Sequence, residues 1–585
     1  LSAGNRHASE AVAGDLVISL NIGVTGHRDL RPQDVATIEA HVRSFYQGLQ
    51  ESFPDLPLQL LTALAEGADQ LAARVALSMG IPIVAVLPME QSDYEKDFGS
   101  PEAVAEFRSF LVDAAQVITL PRAPASQAHG DPGGKPARER QYAQLGIFVS
   151  NHCQVLLALW DGKPGTALGG TGQVVHYHLT AVMEGFEEET SPATLLAENE
   201  NDLVYHIVCP RDRPGGEPGA RYEAFQTNWF SSLNEGRRSS DMPEVYHTLL
   251  ASLQQFVRDW HGHRGAIEQF STSLIEDPPA LEIPTAARLT DRLFQIADSL
   301  AIYYQKRVNL TLKATYGLAV IMGLVFLVYT EADGDRLLVL AFLALFFGGV
   351  LLHKIGERRE WHRKYLDYRA LAEGLRVQFY WMLAGVVDSS SADFAYDNFL
   401  QKQDVDLGWI RHVMRTASLH RDRGKDPDSA WVGWVIEQWI GVPKSGRGQL
   451  AYYSRKRWQN VAQLRRTQLL GSMSLWTGIA IAALLFLMGG KDLAGQRQVL
   501  LILMGVLPLI AGVWDAYSHK KAEKELIKQY QFMSHVFSKA RRLLAASSDI
   551  AFHRLVLKAL GQAALDEGAE WLLIHRERPL EHSGL

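Results

Sequence analysis

Cysteine is almost missing from this chain of 585 residues: Cys153 and Cys209 are the only two, each inside an apolar run. That excludes a disulfide framework or a cysteine-rich metal site, and it fits a reducing compartment for the soluble part. An excess of positive charge is missing too. Lys and Arg total 58 against 65 Asp and Glu, a net charge of −7, so no basic surface for duplex phosphates is expected and nucleic acid is not an expected partner. The polar lead from Leu1 has no apolar h-region, so no signal peptide is expected and membrane insertion falls to internal segments. The dinucleotide GxGxxG fingerprint, the P-loop and HExxH are absent. What remains is 47% hydrophobic and 21% charged, with 23 Pro and 48 Gly. Such a composition is neither disordered nor collagen-like, and the length suits roughly two to four domains.

From about Leu16 to Pro210, apolar runs of strand length alternate with helical patterns, as βα units require. The runs are Leu16 to Val24, Leu58 to Leu64, Ile81 to Leu87, Val117 to Leu120, Val155 to Trp160 and Leu203 to Cys209. Several are continuously apolar, the pattern of strands covered on both faces. The expected fold is an α/β doubly wound parallel sheet, Rossmann-like, over residues 15–215. Pro121 to Ala137 reads as a surface loop, and PRDRPGGEPGAR (Pro210 to Arg221) as the close of the sheet region.

After a connecting segment, 216–289, the character changes to an all-α membrane domain. Two uncharged stretches, about 314–330 and 337–352, are separated by EADGDR. About 160 residues later the arrangement returns, with stretches at about 469–489 and 499–514 linked by GKDLAGQRQ. Each pair is followed by a charged helical segment. The organisation expected is a first helical unit at 290–388, a Trp-rich linker at 389–455 and a second unit at 456–585, with four transmembrane helices in two hairpins. The competing reading is four buried core helices in a soluble protein. Arg307, Lys313, Lys354, Arg358, Arg359, Arg465, Arg466, Lys520 and Lys521 flank the spans on one side, while the short loops hold only Arg336, Lys491 and Arg497. The positive-inside rule then places the sheet domain and both termini in the cytoplasm of a multi-pass inner-membrane protein.

Three strand ends carry glycine turns. The first run leads into GVTGHRDL, where Gly23, Thr25 and Gly26 let a backbone approach a phosphate, Arg28 adds a bidentate cation and His27 a switchable donor. The second ends in ALAEGAD, where Gly67 opens the turn and Glu66 and Asp69 can accept ribose hydroxyls; Asp69 reads equally as a helix cap. The fifth ends in LWDGKPGTALGGTG, whose Gly169, Gly170, Thr171 and Gly172 precede a helix and make the best phosphate site. Together they define a crevice at the carboxyl edge of the sheet.

With GVTGHRDL, ALAEGADQLAA, VLPMEQSDYEKDF, LLALWDG and GGTG in this order, residues 15 to 210 resemble the SLOG superfamily. This Rossmann-like group includes LOG-type nucleotide hydrolases and the cytosolic head of melastatin-type TRP channels. The hairpins with their charged helices and the ending EWLLIHRERPLE resemble SLATT-type two-helix membrane domains, which accompany SLOG sensors in bacterial defence and are proposed to form pores. The resemblance implies a small nucleotide-derived ligand, such as an ADP-ribose derivative, as partner beside the lipid bilayer; the residues themselves name no cofactor and no metal. The hydrolase branch has a Glu soon after the Thr of its glycine turn, whereas here Gln173 and Val174 follow and the first carboxylate is Glu184. That departure disfavours an enzyme, because glycosidic cleavage needs a nearby carboxylate. A membrane-tethered nucleotide or NAD glycohydrolase, with Glu66 or Asp69 in the missing role, is the alternative.

His152, His176, His178 and His206 have no metal-ligand spacing and read as unrelated histidines. Trp361 to Trp381, with Glu373 and Arg376, reads as an amphipathic helix pairing with its repeat. WVGWVIEQWIG (Trp431 to Gly441) fits either the lipid interface or burial between cytosolic helices. The spans hold almost nothing ionisable, which disfavours secondary transport. Four helices are too few for a wide pore, so a channel requires a homo-oligomer, its selectivity set by Glu331, Asp333, Asp335 or Asp492 near the outer mouths.

Overall fold

A computed structural model of the chain describes residues 17–123, 135–165, 167–186, 201–233, 236–331, 335–386, 399, 407–419, 428–441, 446–487, 496–520 and 523–576. Most of the expected Pro121 to Ala137 loop lies outside them, as do Asp333, Lys491, Asp492, Lys521 and the ERPLE ending. The chain forms two compact units, one within Leu1–His263, Glu282–Leu293 and Val387–Asp426, the other within Arg264–Leu281, Phe294–Val386 and Pro427–Leu585.

The first unit is built on strands β1 (Leu20–Gly26), β2 (Leu58–Thr62), β3 (Ile83–Leu87), β4 (Gln116–Thr119), β5 (Val155–Trp160), β6 (Val204–Val208) and β7 (Thr227–Phe230). Their order is β4-β3-β2-β1-β5-β6-β7, parallel throughout except for β7, which runs antiparallel to β6. The doubly wound Rossmann-like expectation is met, and the six expected runs hold β1 to β6 with ends displaced by up to four residues. β7 has no counterpart among those runs.

Helices α1 (Val35–Ser52), α2 (Ala68–Ser78), α3 (Pro101–Asp113), α4 (Lys135–His152) and α5 (Thr171–Thr180) follow β1, β2, β3, β4 and β5. In α1 the buried Ile38, Val42, Phe45, Tyr46 and Leu49 recur at helical spacing, and Phe45 stacks on Tyr205 of β6. Phe148 and Val149 of α4 and Val174 and Val175 of α5 pack with Leu61, Val84, Leu156 and Ala158 of the sheet. β3 is buried at every position, because helices cover the sheet on both faces. α3 starts where Ser100 accepts from the Ala103 amide and Pro101 needs no amide partner. Strand order reverses between β1 and β5, so the connections leaving their carboxyl ends diverge and leave a crevice between them.

α6 (Glu244–Gly262) also belongs to this unit, and α7 (Thr285–Glu331) begins in the first unit and continues into the second. α8 (Arg336–Arg358) and α9 (Trp361–Ala384) follow, then α10 (Gly408–Ser418), which packs on α6 in the first unit, with Phe256 against Trp409. α11 (Ser429–Val435), α12 (Gly448–Leu487), α13 (Gln496–Lys520), α14 (Glu523–Ala545) and α15 (Ile550–Arg576) return to the second unit. Four helical stretches have mean hydropathy of 1.8 to 2.2 over a membrane-length window, of which at most 6% is buried within the protein. Side chains such as Phe347 and Phe486, 63% and 84% exposed, find little cover among the described residues, so a bilayer must cover them. This is a multi-pass membrane protein, not a soluble globule with four core helices.

Glycines set the packing of the spans. A side chain at Gly323 of α7 would meet Leu509 of α13, one at Gly505 would meet Leu327, and one at Gly478 of α12 would meet Pro508. The fourth span thus lies against both the first and the third, and the Ser474 hydroxyl donates to the Leu507 carbonyl at 2.8 Å beside the Pro508 interruption. Asp335 caps α8 through the Leu337 amide at 2.9 Å.

Two expectations for the helices are settled differently. α9 pairs not with its sequence repeat, α14, but with α15: Trp381 donates its indole N–H to the Leu557 carbonyl at 3.0 Å, over Gly561, where any side chain would collide with the ring. Arg576 of α15 also reaches Asp367 at 3.1 Å. Burying a large indole against a glycine decides the pairing, and sequence likeness between repeats does not. Of the two readings of the Trp-rich stretch, burial holds: Trp431, Trp434 and Trp439 are all buried, Trp434 donates to the Asp277 carbonyl at 3.0 Å, and Trp439 stacks on Tyr380.

Candidate functional site

The crevice over the carboxyl edge of the sheet encloses about 590 Å³, within the range of small-molecule sites. Nine of the twelve residues singled out from sequence line it: Thr25, Gly26, His27, Arg28, Asp69, Gly169, Gly170, Thr171 and Gly172. The other three do not. Gly23 sits beneath α4, where a Cβ would lie 2.7 Å from Val149 and 2.8 Å from the Cys153 sulfur, so it is a packing glycine. The Glu66 carboxylate turns to the Gly99 amide at 3.1 Å. Gly67 adopts φ +86°, and a Cβ there would lie 2.3 Å from the Arg28 carbonyl oxygen, so it lets the β2–α2 turn pass the tail of β1.

Backbone ties make this floor rigid. The His27 amide donates to the Leu159 carbonyl and the Ala68 amide to the His27 carbonyl, both at 3.1 Å, which locks β1 between β5 and α2. The Thr171 hydroxyl donates to the Gly26 carbonyl at 2.9 Å, fastening the glycine turn to the same strand. Gly169 has φ +73°, and a Cβ would lie 2.5 Å from the Ala143 amide, so the turn lies flush on α4. Gln173 accepts from the Gly169 amide at 3.0 Å and donates to the Glu184 carbonyl at 3.3 Å. The side chain just past the turn is thereby committed to holding the loop.

His27 is not a free switchable donor. Its ring is buried, and Nε2 accepts from the Asp161 amide at 3.1 Å. Burial first, then the Arg211 charge, lowers its pKa although Asp161 pulls the other way, so it stays neutral and positions the β5 loop. Asp69 is neither helix cap nor solvated carboxylate. Gly67 precedes the helix, and the Asp69 carboxyl, 6% exposed, accepts from the backbone amides of Ala65 and Ala63. Burial pushes its pKa up to about 7 against the pull of Arg28 and these bonds.

Sequence reasoning missed a second group of lining residues: Tyr94, Tyr142, Asp161, Lys163, Arg211 and Arg213. Lys163 follows β5, and its ammonium donates to the Gly215 carbonyl at 2.9 Å. Arg211 and Arg213 follow β6, and Arg211 grips Asp29 at 2.8 Å. With Arg28, whose guanidinium lies over the Tyr142 ring at 5.2 Å, four cations converge on one cleft. Converging cations and glycine turns can hold a phosphate, and Asp69 adds a carboxyl able to exchange a proton near neutral pH.

The four histidines bind elsewhere or lie outside. His152, His178 and His206 each meet a different backbone carbonyl, of Phe148, Leu203 and Trp160, while His176 is exposed. Comparison of the chain with protein-family models, with curated proteins and with solved structures gives no match.

Proposed function

We propose that the sheet unit senses a phosphate-bearing, nucleotide-derived ligand such as an ADP-ribose derivative, and that binding gates or assembles a transmembrane pore made by several copies of the chain. The observation that carries this is the convergence of Arg28, Lys163, Arg211 and Arg213 on a glycine-walled crevice at the reversal of strand order. Thr25, Gly26 and Gly169 to Gly172 would hold the phosphate there. The resemblance to SLOG sensors joined to SLATT-type membrane domains supports the coupling and points to bacterial defence at the inner membrane, with both termini cytoplasmic by the distribution of Lys and Arg. A ligand shifts the membrane part only through a difference in affinity between its two states. A homo-oligomer supplies the helices that one chain lacks for a wide pore.

The test is thermal unfolding of the full chain in detergent with a panel of ADP-ribose, NAD, AMP and cyclic nucleotides. At least one should stabilise the wild type, by about 2.7 kcal/mol at a hundredfold excess over its Kd. Arg28→Ala and Gly170→Val should abolish the response; if both respond like wild type, the crevice assignment is wrong. One observation favours a second reading, a membrane-tethered nucleotide glycohydrolase: Asp69 places a carboxyl with pKa about 7 in the crevice, where Glu66 is turned away. Release of free base by the wild type but not by Asp69→Asn would favour it.

A further inference from the structure

The crevice has two chemically different walls, and strand order puts them on opposite sides of β1. Lys163 and the pair Arg211 and Arg213 come from the loops after β5 and β6. Asp69 comes from the first turn of α2, after β2, and Tyr94 from the short helix Gln91–Tyr94, after β3. The order β3-β2-β1-β5-β6 therefore sets Lys163, Arg211 and Arg213, with Asp161 among them, against a wall where Asp69 and Tyr94 stand beside Arg28.

Tyr94 is fully buried, lines the crevice, and its hydroxyl has no hydrogen-bond partner among the described residues. Its ring cannot serve as a stacking platform, because Phe98 and Phe107 occupy it at 5.3 and 5.5 Å. The buried hydroxyl, not the ring, is the group that a ligand entering from the crevice would satisfy. Tyr94, Asp69 and Arg28 are close enough to act on one another electrostatically. A phosphate on this wall would face the Asp69 carboxyl, and an apolar group would leave the Tyr94 hydroxyl unsatisfied. A neutral group that both donates and accepts suits the pair, and a vicinal diol offers two such hydroxyls to one carboxyl and one phenol.

We infer that Asp69 and Tyr94 form a ribose-recognition wall, which binds the hydroxyls of the ligand's sugar while its phosphate lies on the Lys163, Arg211 and Arg213 side. The inference rests on the proposed reading of the crevice as a nucleotide site and adds that the site distinguishes ribose from deoxyribose. A site built to hydrogen-bond a hydroxyl rejects the analogue that lacks it, since its own buried groups are then left unpaired.

The experiment is a calorimetric titration of the full chain in detergent with ADP-ribose and with its two analogues lacking the 2′-hydroxyl of one or the other ribose. Wild type should bind ADP-ribose about three- to tenfold more tightly than one of the analogues, the worth of one hydrogen bond between neutral groups. Tyr94→Phe, which keeps the ring and removes only the hydroxyl, should erase that preference by weakening ADP-ribose alone. A purely structural tyrosine would weaken all three probes together or none. Equal binding of the three probes by wild type, or an intact preference in Tyr94→Phe, overturns the ribose wall and leaves the nucleotide site standing. Binding of none of them overturns both.

Discussion

Asp69 gives the structure a measurable pH dependence. Its carboxyl titrates at about 7 in the folded chain against 3.8 when free, so between these values the folded state holds a proton that the unfolded state has released. Folding is then favoured by protonation. The contribution is fully present below the unfolded value and is lost as pH rises through 7. The gap between the two values corresponds to about 4 kcal/mol at ~1.36 kcal/mol per pH unit. Between pH 5.5 and 8 the share lost is about 2 kcal/mol, the rest being lost below pH 5.5 as the unfolded carboxyl ionises. Asp69→Asn keeps the shape and an oxygen to accept from the Ala63 and Ala65 amides but cannot ionise, so its stability should be flat across this window. The readout is hydrogen exchange of peptides from residues 58–78 in the detergent-solubilised full chain, corrected for intrinsic rates, which reports the opening of β2 and α2. Wild type should protect this segment more at pH 5.5 than at pH 8, and Asp69→Asn should protect it equally at both. Equal protection in wild type, or the same slope in both proteins, refutes the burial argument.

Two further predictions concern the second unit. Gly561→Ala places a carbon about 2.1 Å from the Trp381 indole nitrogen, so it should drive α9 from α15 at a cost of about 1–3 kcal/mol, read as a lower thermal midpoint. Gly433→Ala, with open space around it, is the control. In vesicles of brominated lipid, Trp476→Phe should remove much quenchable fluorescence and Trp439→Phe almost none, because Trp476 is 67% exposed along its span while Trp439 is 2% exposed in the protein interior.

The sheet was legible because strands sandwiched between helices read as unbroken apolar runs, as β3 and β5 do. β7 was not, because four residues beginning Thr227 and Asn228 carry no period. The floor of the site was also legible, since a glycine turn after a strand has a local signature at Gly26 and at Gly169 to Gly172. Gly23 and Gly67 share that signature but serve close packing, which only the neighbouring α4 and the Arg28 backbone reveal. Arg211 and Arg213 lay in a stretch read as the end of the sheet. They line the crevice because β6 neighbours β5, and strand order is a long-range fact that periodicity does not carry. Glu66 and Asp69 differ by three positions; their roles separate only because α2 buries one and leaves the other facing Gly99. The spans were legible by length and composition, whereas the partner of α9 depended on where Trp381 could be buried.

Whether the crevice holds an anionic metabolite is decided by titrating the stabilising member of the nucleotide panel against the full chain and its Gly170→Val variant, following the thermal midpoint. The midpoint should climb with the logarithm of ligand concentration in wild type and stay level in the variant. A level line in both proteins for every nucleotide tried, or parallel climbs, would mean that the crevice holds no such ligand.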